Sequence, residues 1–331
     1  MGRIAVGIDV SSKKLDVAVH EGDEGSFENS PPGHKKLLKW LKKQAKRKGV
    51  TVVLESTGYY GLDIALFLHE KKNVDVHYVN PMAAKGYAKA GMVRAKTDKV
   101  DARVLARMAH ADRSDPWNPP APHLRALRAY TRRIRTLINN RTREKNRLAA
   151  LSATGTTPEP IVDDIRDTIG ALDARIDKLW AAALEFAKSH ADLRSDIELL
   201  DTVAGIGERS AVELLGEIRC MPEDLTAKQL VAQAGLDPRA RQSGMRDGKR
   251  SISKMGSSNL RAALHMVAVT AVRSCPQVKA YYTMLVEQKG KAKLVALVAV
   301  ARKLLHCIHG MMQTNTPWDP ARFYMPRTVS A

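Results

Sequence analysis

The stretch Arg94-Ala-Lys-Thr-Asp-Lys-Val-Asp-Ala-Arg103 runs straight into the apolar segment Val104-Leu-Ala-Arg-Met-Ala109. Thr97 is a favourable N-cap, so the spacing predicts a helix that begins at Asp98. Asp98 and Asp101, three apart, then share one helix face. Two acids in a first turn also complement the helix dipole, and that alone accounts for many such pairs. Here Arg94, Lys96, Lys99 and Arg103 ring the pair, and two more acids close apolar runs upstream. Residues 3–9 read as a strand ending on Asp9. Residues 50–54 are nearly continuous apolar, as in a strand buried on both faces, and Glu55 follows them.

Working outward, residues 15–20 alternate in polarity and suit a second strand, with a short third at 25–29. Pro31-Pro-Gly33 opens a helix over 34–48, a second helix covers 61–71, and 74–79 form another strand closed by Asn80-Pro81. A short helix precedes Asp98. The order β-β-β-α-β-α-β-α-α predicts a mixed sheet with helices packed on it. In such folds functional groups gather at the carboxyl ends of neighbouring strands. If the first and fourth strands are neighbours, Asp9 and Glu55 are too. This α/β domain spans 1–115, and the proline-rich 116–122 is a stiff linker.

The rest reads as all-α. Residues 123–192 form a coiled-coil arm of two long helices. The first carries Leu124, Leu127, Ile134 and Leu137 on one side, and the second repeats Ile165, Ile169, Leu172, Ile176, Leu179 and Ala183. As a fold this is a solvated antiparallel hairpin. The first helix carries nine basic residues, Arg128, Arg132 and Arg135 among them, against the single acid Glu144. Such lopsided charge reads as a nucleic-acid contact or a dimerisation arm. Residues 193–331 form a compact helical domain. Its Gly205-Ile-Gly207 turn fits a helix-hairpin-helix whose amides face phosphate, or a plain helical corner. Residues 235–256 read as a long loop with Ser243-Gly244 near its centre and Arg239, Arg241, Arg246, Lys249, Arg250 and Lys254 as phosphate-binding candidates. Ser257 then caps a helix bearing Arg261, a further candidate. A last helix over 291–311 is apolar on several faces.

The 331 residues carry a formal charge of +19, which favours a polyanionic partner, nucleic acid before membrane. The longest apolar run, 294–300, is too short to span a bilayer. The first residues lack the form of a signal peptide, so a cytoplasmic location is expected. Three dispersed cysteines form no CxxC pair, against a disulfide framework or zinc knuckle. Carboxylates prefer hard cations and repel one another when clustered without one. Asp9, Glu55, Asp98 and Asp101 therefore suit a two-Mg²⁺ site, with ions roughly 3.5–4 Å apart acting on a phosphodiester. That pattern points to a metal-dependent nuclease or strand-transfer enzyme.

Gly7-Ile-Asp9-Val, Glu55-Ser-Thr-Gly58-Tyr, Val79-Asn-Pro81 and Lys96-Thr-Asp98-Lys-Val-Asp101-Ala-Arg103 resemble the N-terminal half of DEDD transposases of the insertion-sequence 110 family of bacterial mobile elements. Val203-Ala-Gly205-Ile-Gly207, Ala234-Gly-Leu-Asp-Pro238, Ser243-Gly244 and Ser253-Lys-Met-Gly256 with Leu260-Arg261 resemble its C-terminal half. The resemblance runs in order over nearly the whole chain. It implies a RuvC-like N-terminal domain of the ribonuclease H fold, with Asp9, Glu55, Asp98 and Asp101 as metal ligands. It implies Ser243 as a nucleophile that forms a phosphoserine link with DNA. It further implies donor and target DNA as partners, a structured noncoding guide RNA, and a homo-oligomer in which tetrad and serine come from different subunits. Where Met245-Arg246 stand, small polar residues are common in relatives. The sequence chemistry of the loop does not separate Ser243 from Ser251 or Ser253; the motif match does. Two rivals stay open: a RuvC-like hydrolase using water, which needs no Ser243, and a non-catalytic scaffold, which needs no acids.

Overall fold

The structure is a computed structural model. It describes residues 2–56, 58, 60–92, 97–111, 114–153, 155–239, 242–243, 246–247 and 251–325, with main chain only at 242–243 and 246–247. The chain divides into two compact units, Met1–Pro119 and Pro120–Ala331.

The first unit contains β1 (Arg3–Val10), β2 (Lys14–Val19), β3 (Glu24–Glu28), α1 (Pro31–Ala45), β4 (Gly49–Glu55), α2 (Leu62–His69), β5 (Val74–Val79), α3 (Pro81–Ala90) and α4 (Asp98–Ala111). The sheet order is β3-β2-β1-β4-β5. β1 pairs antiparallel with β2 and parallel with β4, and β4 pairs parallel with β5. The expected order of elements and the neighbouring of the first and fourth strands are both found. Period-2 alternation divides the central strands between two faces. Val6, Ile8, Val52 and Leu54 meet Leu37, Leu41, Ile64 and Leu68 of α1 and α2 on one face. Ala5 and Val53 meet Ala84, Leu105 and Ala109 of α3 and α4 on the other. Asp9 and Glu55 continue this second row.

α1 begins three residues earlier than its sequence predicts. The Ser30 hydroxyl accepts the Gly33 amide, and Pro31-Pro32 form the first turn, where no donor is required. Gly33 is forced by packing, because a Cβ there would lie 2.0 Å from the Glu28 carbonyl oxygen.

The second unit pairs α5 (Pro122–Ser152) with α6 (Glu159–Ser189). α7 (Ala191–Asp201), α8 (Glu208–Ile218), α9 (Ala227–Gln233), α10 (Ser258–Ser274), α11 (Pro276–Thr283), α12 (Lys293–Thr314) and α13 (Pro320–Phe323) follow. Leu124, Leu127, Ile134 and Leu137 of α5 and Ile176, Trp180 and Ala183 of α6 belong to the same core as α7, α8, α10 and α12. The helix pair is therefore rooted in the helical body and does not stand apart from it along its whole length. α12 is long and apolar enough by composition to cross a bilayer. Its Val300, Leu304, Leu305 and Ile308 stripe is fully buried in this core. Burying such side chains stabilises by about 1.5–3 kcal/mol each.

The predicted 235–256 loop is instead a β-hairpin. Pro238↔Ile252 and Arg239↔Ser251 form one antiparallel ladder of strands β6 (Pro238–Arg239) and β9 (Ser251–Ile252). Gln242↔Asp247 and Ser243↔Arg246 form a second, of β7 (Gln242–Ser243) and β8 (Arg246–Asp247), offset by one residue from the first. Polar side chains and the four glycines of 235–256 hide this from periodicity, since little of its alternation is apolar.

Gly7 lets α4 lie directly on the sheet. A Cβ at this position would sit 2.1 Å from the Ala102 carbonyl oxygen and 2.2 Å from the Ala106 nitrogen, both main-chain atoms. Gly7→Ala should cost about 3 kcal/mol in urea unfolding, at the upper end for overpacking. An unchanged midpoint would contradict this close approach.

Candidate active site

The acidic cluster is assembled by three local rules. β1 and β4 run parallel and in register through Ile8↔Leu54, so Asp9 and Glu55 leave the sheet side by side on one face. α4 crosses that face, with Ala102, Leu105, Ala106 and Ala109 packed down. Asp98 and Asp101 lie four residues before Ala102 and Leu105, and so extend the same helical stripe beyond the apolar contact. Thr97 fixes the start of α4: its Oγ1 accepts the Val100 amide at 3.3 Å, and its carbonyl accepts the Asp101 amide at 2.9 Å.

Asp9 is the electrostatic centre. Its pKa is raised to about 6, first by burial and then by the negative charges of Asp98, Asp101, Glu55 and Asp16. The four sequence-predicted acids thus share one electrostatic neighbourhood. Asp16 is a fifth acid that the sequence reading left among alternating strand residues. It is the register partner of Asp9 across the β1–β2 pair, only 3% exposed, and salt-bridged to Lys14 at 2.9 Å. The hairpin register that aligns Asp16 with Asp9 is set by turn geometry, which the alternation alone does not disclose.

Among the described residues, no three His, Cys, Asp or Glu side chains converge tightly enough as placed to enclose a metal ion. The donor chemistry nevertheless fits a hard divalent cation. The oxygens are carboxylate, and burial, followed by the repulsion of neighbouring carboxylates, raises the pKa of the central group to about 6. Asp9, Glu55, Asp98 and Asp101 are the residues that could hold such an ion.

In the second unit, Ser243 is opposite Arg246 in the last described pair of the hairpin, and residues 244–245 connect them. The base of the hairpin is clasped from below. Arg261 Nη1 donates to the Ala234 carbonyl and to the Gly256 carbonyl, both at 2.9 Å, so one guanidinium joins the two ends of the excursion. Ser253 Oγ donates to Asp237, and the Ser253 amide donates to the Asp237 carbonyl at 2.9 Å. A Cβ at Gly256 would meet the Gln233 carbonyl oxygen at 2.1 Å.

Comparison with known proteins adds the family. Residues 6–153 match a DEDD-type profile described as Transposase, and residues 197–283 match one described as Transposase IS116/IS110/IS902 family. The chain is 31% identical over 333 residues to the pilin gene-inverting protein of Moraxella bovis, covering 96% of this chain and 98% of that one. The same identity and coverage hold for the pilin gene-inverting protein of Moraxella lacunata. The chain belongs to the IS110 family of transposases. It is a DNA transposase or recombinase by family, and DNA is the substrate that this membership implies.

Several arginines that the sequence offered to nucleic acid are engaged inside this transposase. Arg132 grips the buried Glu217 through Nε at 2.7 Å and Nη2 at 3.0 Å, and Ser257 Oγ donates to the same carboxylate at 2.9 Å. α5, α8 and the cap of α10 are thereby locked together. Burial would raise the Glu217 pKa, but the hydrogen bonds from Arg132 and Ser257 and the charges of Arg132 and Arg128 hold it below the usual range. Arg135 pairs with Glu213, also on α8. Arg261 serves the hairpin base, as described. Gly205, at φ +100°, is needed because a Cβ would meet the Ala271 nitrogen of α10 at 2.6 Å. Its turn is therefore packed against α10. Gly207 is exposed at the N-cap of α8, where Glu208 in the first turn pairs with Lys188. Arg128 is half-exposed, Arg239 is exposed in β6, and Lys254 is exposed at the hairpin base with φ +57°. Arg246 has described main chain only, and Arg241, Lys249 and Arg250 lie outside the described residues. Arg133, Arg143 and Lys145 are exposed on α5, as is Arg147, which pairs with Glu144 at 2.9 Å.

Two outcomes test this site. Without divalent cations, a raised Asp9 pKa makes the folded state bind more protons than the unfolded one between about pH 4 and 6. Stability should therefore fall as pH rises through that window. The full displacement would carry roughly 3 kcal/mol, but Asp9 is half-exposed and solvent screens its neighbours, so about 1 kcal/mol is expected. Asp9→Asn should remove the effect, and Mg²⁺ should raise the melting temperature of the wild type more at pH 7.5 than at pH 5. A flat pH profile in the wild type would count against the coupling. Separately, Arg261→Ala should cost about 2 kcal/mol in thermal or urea unfolding while leaving DNA affinity unchanged. Lost affinity at unchanged stability would return Arg261 to a phosphate contact.

Proposed function

We propose that this IS110-family protein cuts and rejoins DNA through Ser243, with Asp9, Glu55, Asp98 and Asp101 as a divalent metal site on a RuvC-like domain. The observation that carries the reading is the acidic cluster centred on Asp9, at the ends of two parallel strands and the start of α4. The sheet order and the α4 crossing support the ribonuclease H comparison. A divalent ion, when bound, would activate a hydroxyl and neutralise charge developing on phosphate.

The serine Oγ forms a bond to phosphorus and the bond from phosphorus to one bridging sugar oxygen breaks. The serine proton is lost to base or solvent, and the departing sugar oxygen takes up a proton. Joining reverses the step with the hydroxyl of another strand. One phosphate ester replaces another each time, so bond energy is kept and no nucleotide cofactor is needed. A serine hydroxyl is a weak nucleophile at neutral pH and needs an external activator. Arg246, opposite Ser243 in the hairpin register, is placed on a strand next to the reacting residue, which favours phosphate there. In this reading the acids and the serine of one working site come from different copies of the chain.

The relatives named for inverting a gene favour rejoining over hydrolysis. Sequence choice, in the same proposal, belongs to a structured noncoding RNA that pairs with donor and target DNA. The exposed cations of α5 and the formal charge of +19 would hold backbone phosphates, a sequence-independent task.

The test is a covalent-adduct assay. Purified protein, Mg²⁺, labelled element-end DNA and RNA transcribed from the DNA flanking the gene are mixed and run on a denaturing gel. A protein–DNA band is expected for the wild type and should vanish in Ser243→Ala and in Asp98→Asn. Cleavage without a band, unaffected by Ser243→Ala, would identify a water-using nuclease. Binding with neither would leave a nucleic-acid scaffold.

A further inference from the structure

The parallel ladder between β1 and β4 ends at Ile8↔Leu54, one residue short of both Asp9 and Glu55. A cross-tie between the two chains resumes beyond the acids. It is a side chain from a third segment, Asn29, at the end of the β3 excursion. Asn29 Nδ2 donates to the Ser11 carbonyl at 2.9 Å and to the Tyr60 carbonyl at 3.0 Å. Ser11 lies two residues after Asp9, and Tyr60 five after Glu55. The main chain of Asn29 is itself anchored, its amide donating to the Lys13 carbonyl at 2.9 Å.

The orientation of this amide is decided by chemistry. Two carbonyl oxygens can be met only by the two N–H groups of Nδ2, so Oδ1 must point the other way. There it meets His34 Nε2 at 2.9 Å. Oδ1 has no proton to give, so Nε2 carries one and donates. His34 is 5% exposed in the first turn of α1, with its ring tilted against Phe67 at 5.7 Å. A buried imidazole with Nε2–H therefore holds the amide in the one orientation that clamps both loops. The clamp borders a cavity of about 470 Å³ lined by Ser12, Asn29, His34, Tyr60, Asp63 and Phe67, so its neighbours would not hold the loops by close packing alone.

We propose that Asn29, oriented by His34, is a positioning residue that keeps the chains carrying Asp9 and Glu55 at the spacing a shared divalent ion requires. The inference rests on the acidic-site reading above. Outer partners of this kind typically set metal affinity by about 10- to 100-fold, without contacting the ion.

The test is Mn²⁺ binding to the full chain, read from the free-ion signal by electron paramagnetic resonance at a temperature where each variant is folded by circular dichroism. Wild type should bind and Asp9→Asn should not. If wild type fails to bind, or Asp9→Asn binds equally well, the acidic-site reading falls and the inference with it. With that control in place, Asn29→Ala should weaken Mn²⁺ binding about tenfold. Asn29→Asp should weaken it at least as much, because its carboxylate would face two carbonyl oxygens without a donor. His34→Gln keeps an N–H for Oδ1 and should stay within about twofold of wild type, whereas His34→Leu should match Asn29→Ala. A merely structural role would lower stability in all four variants without this split. Wild-type affinity in folded Asn29→Ala, or equal losses in His34→Gln and His34→Leu, would overturn the proposal.

Discussion

The first unit depends on one close contact, the backbone of α4 lying on the backbone of β1 at Gly7. Two main chains meet there with no side chain between them. That contact fixes the height and the rotation of α4 above the sheet. Because helical side chains repeat every three to four residues, fixing Ala102 and Ala106 against β1 also fixes Asp98 and Asp101 one turn earlier. The acids of the strands are set by the parallel register and those of the helix by the glycine contact. A carboxylate cluster would repel itself apart on flexible loops. Here the apolar core below holds it, and burial together with the neighbouring charges raises the Asp9 pKa.

The second unit uses charge differently. Arg132, Glu217 and Ser257 join three helices at a point where hydrophobic contact alone would allow sliding. The bidentate geometry of the guanidinium admits one relative placement of α5 and α8. A thermally favourable pair of this kind is costly to bury, and its value lies in specifying arrangement. Arg261 repeats the device with main-chain carbonyls as acceptors.

Much of the first unit was legible in the sequence because its signals are periodic. The nearly continuous apolar run Val50-Thr-Val-Val-Leu54, the strand ending on Asp9 and the N-cap at Thr97 each have a short-range physical cause. Asp16 was not legible as part of the acidic neighbourhood, since that requires the β1–β2 register. The role of the basic residues was the least legible. Arg128 and Arg133 carry the same charge and helix as Arg132 and Arg135, and only the positions of Glu213 and Glu217 on another helix tell them apart. Charge counted along a chain does not reveal which cations already have a partner. The 235–256 segment failed for the opposite reason: its strands pair through backbone groups that every residue carries.

The Arg261 clasp has a consequence for how such a protein can diverge. It holds the hairpin through carbonyls at Ala234 and Gly256, which any side chain would present, and through glycines that must stay small. Neither of its acceptors lies between residues 238 and 252. Selection can therefore rewrite the tip while the stem remains constant, much as an interchangeable bit fits a fixed chuck. Met245-Arg246 stand between the two ends that the clasp joins. A tip that can change on a stem that cannot would let the residues around Ser243 evolve separately from the element that holds them.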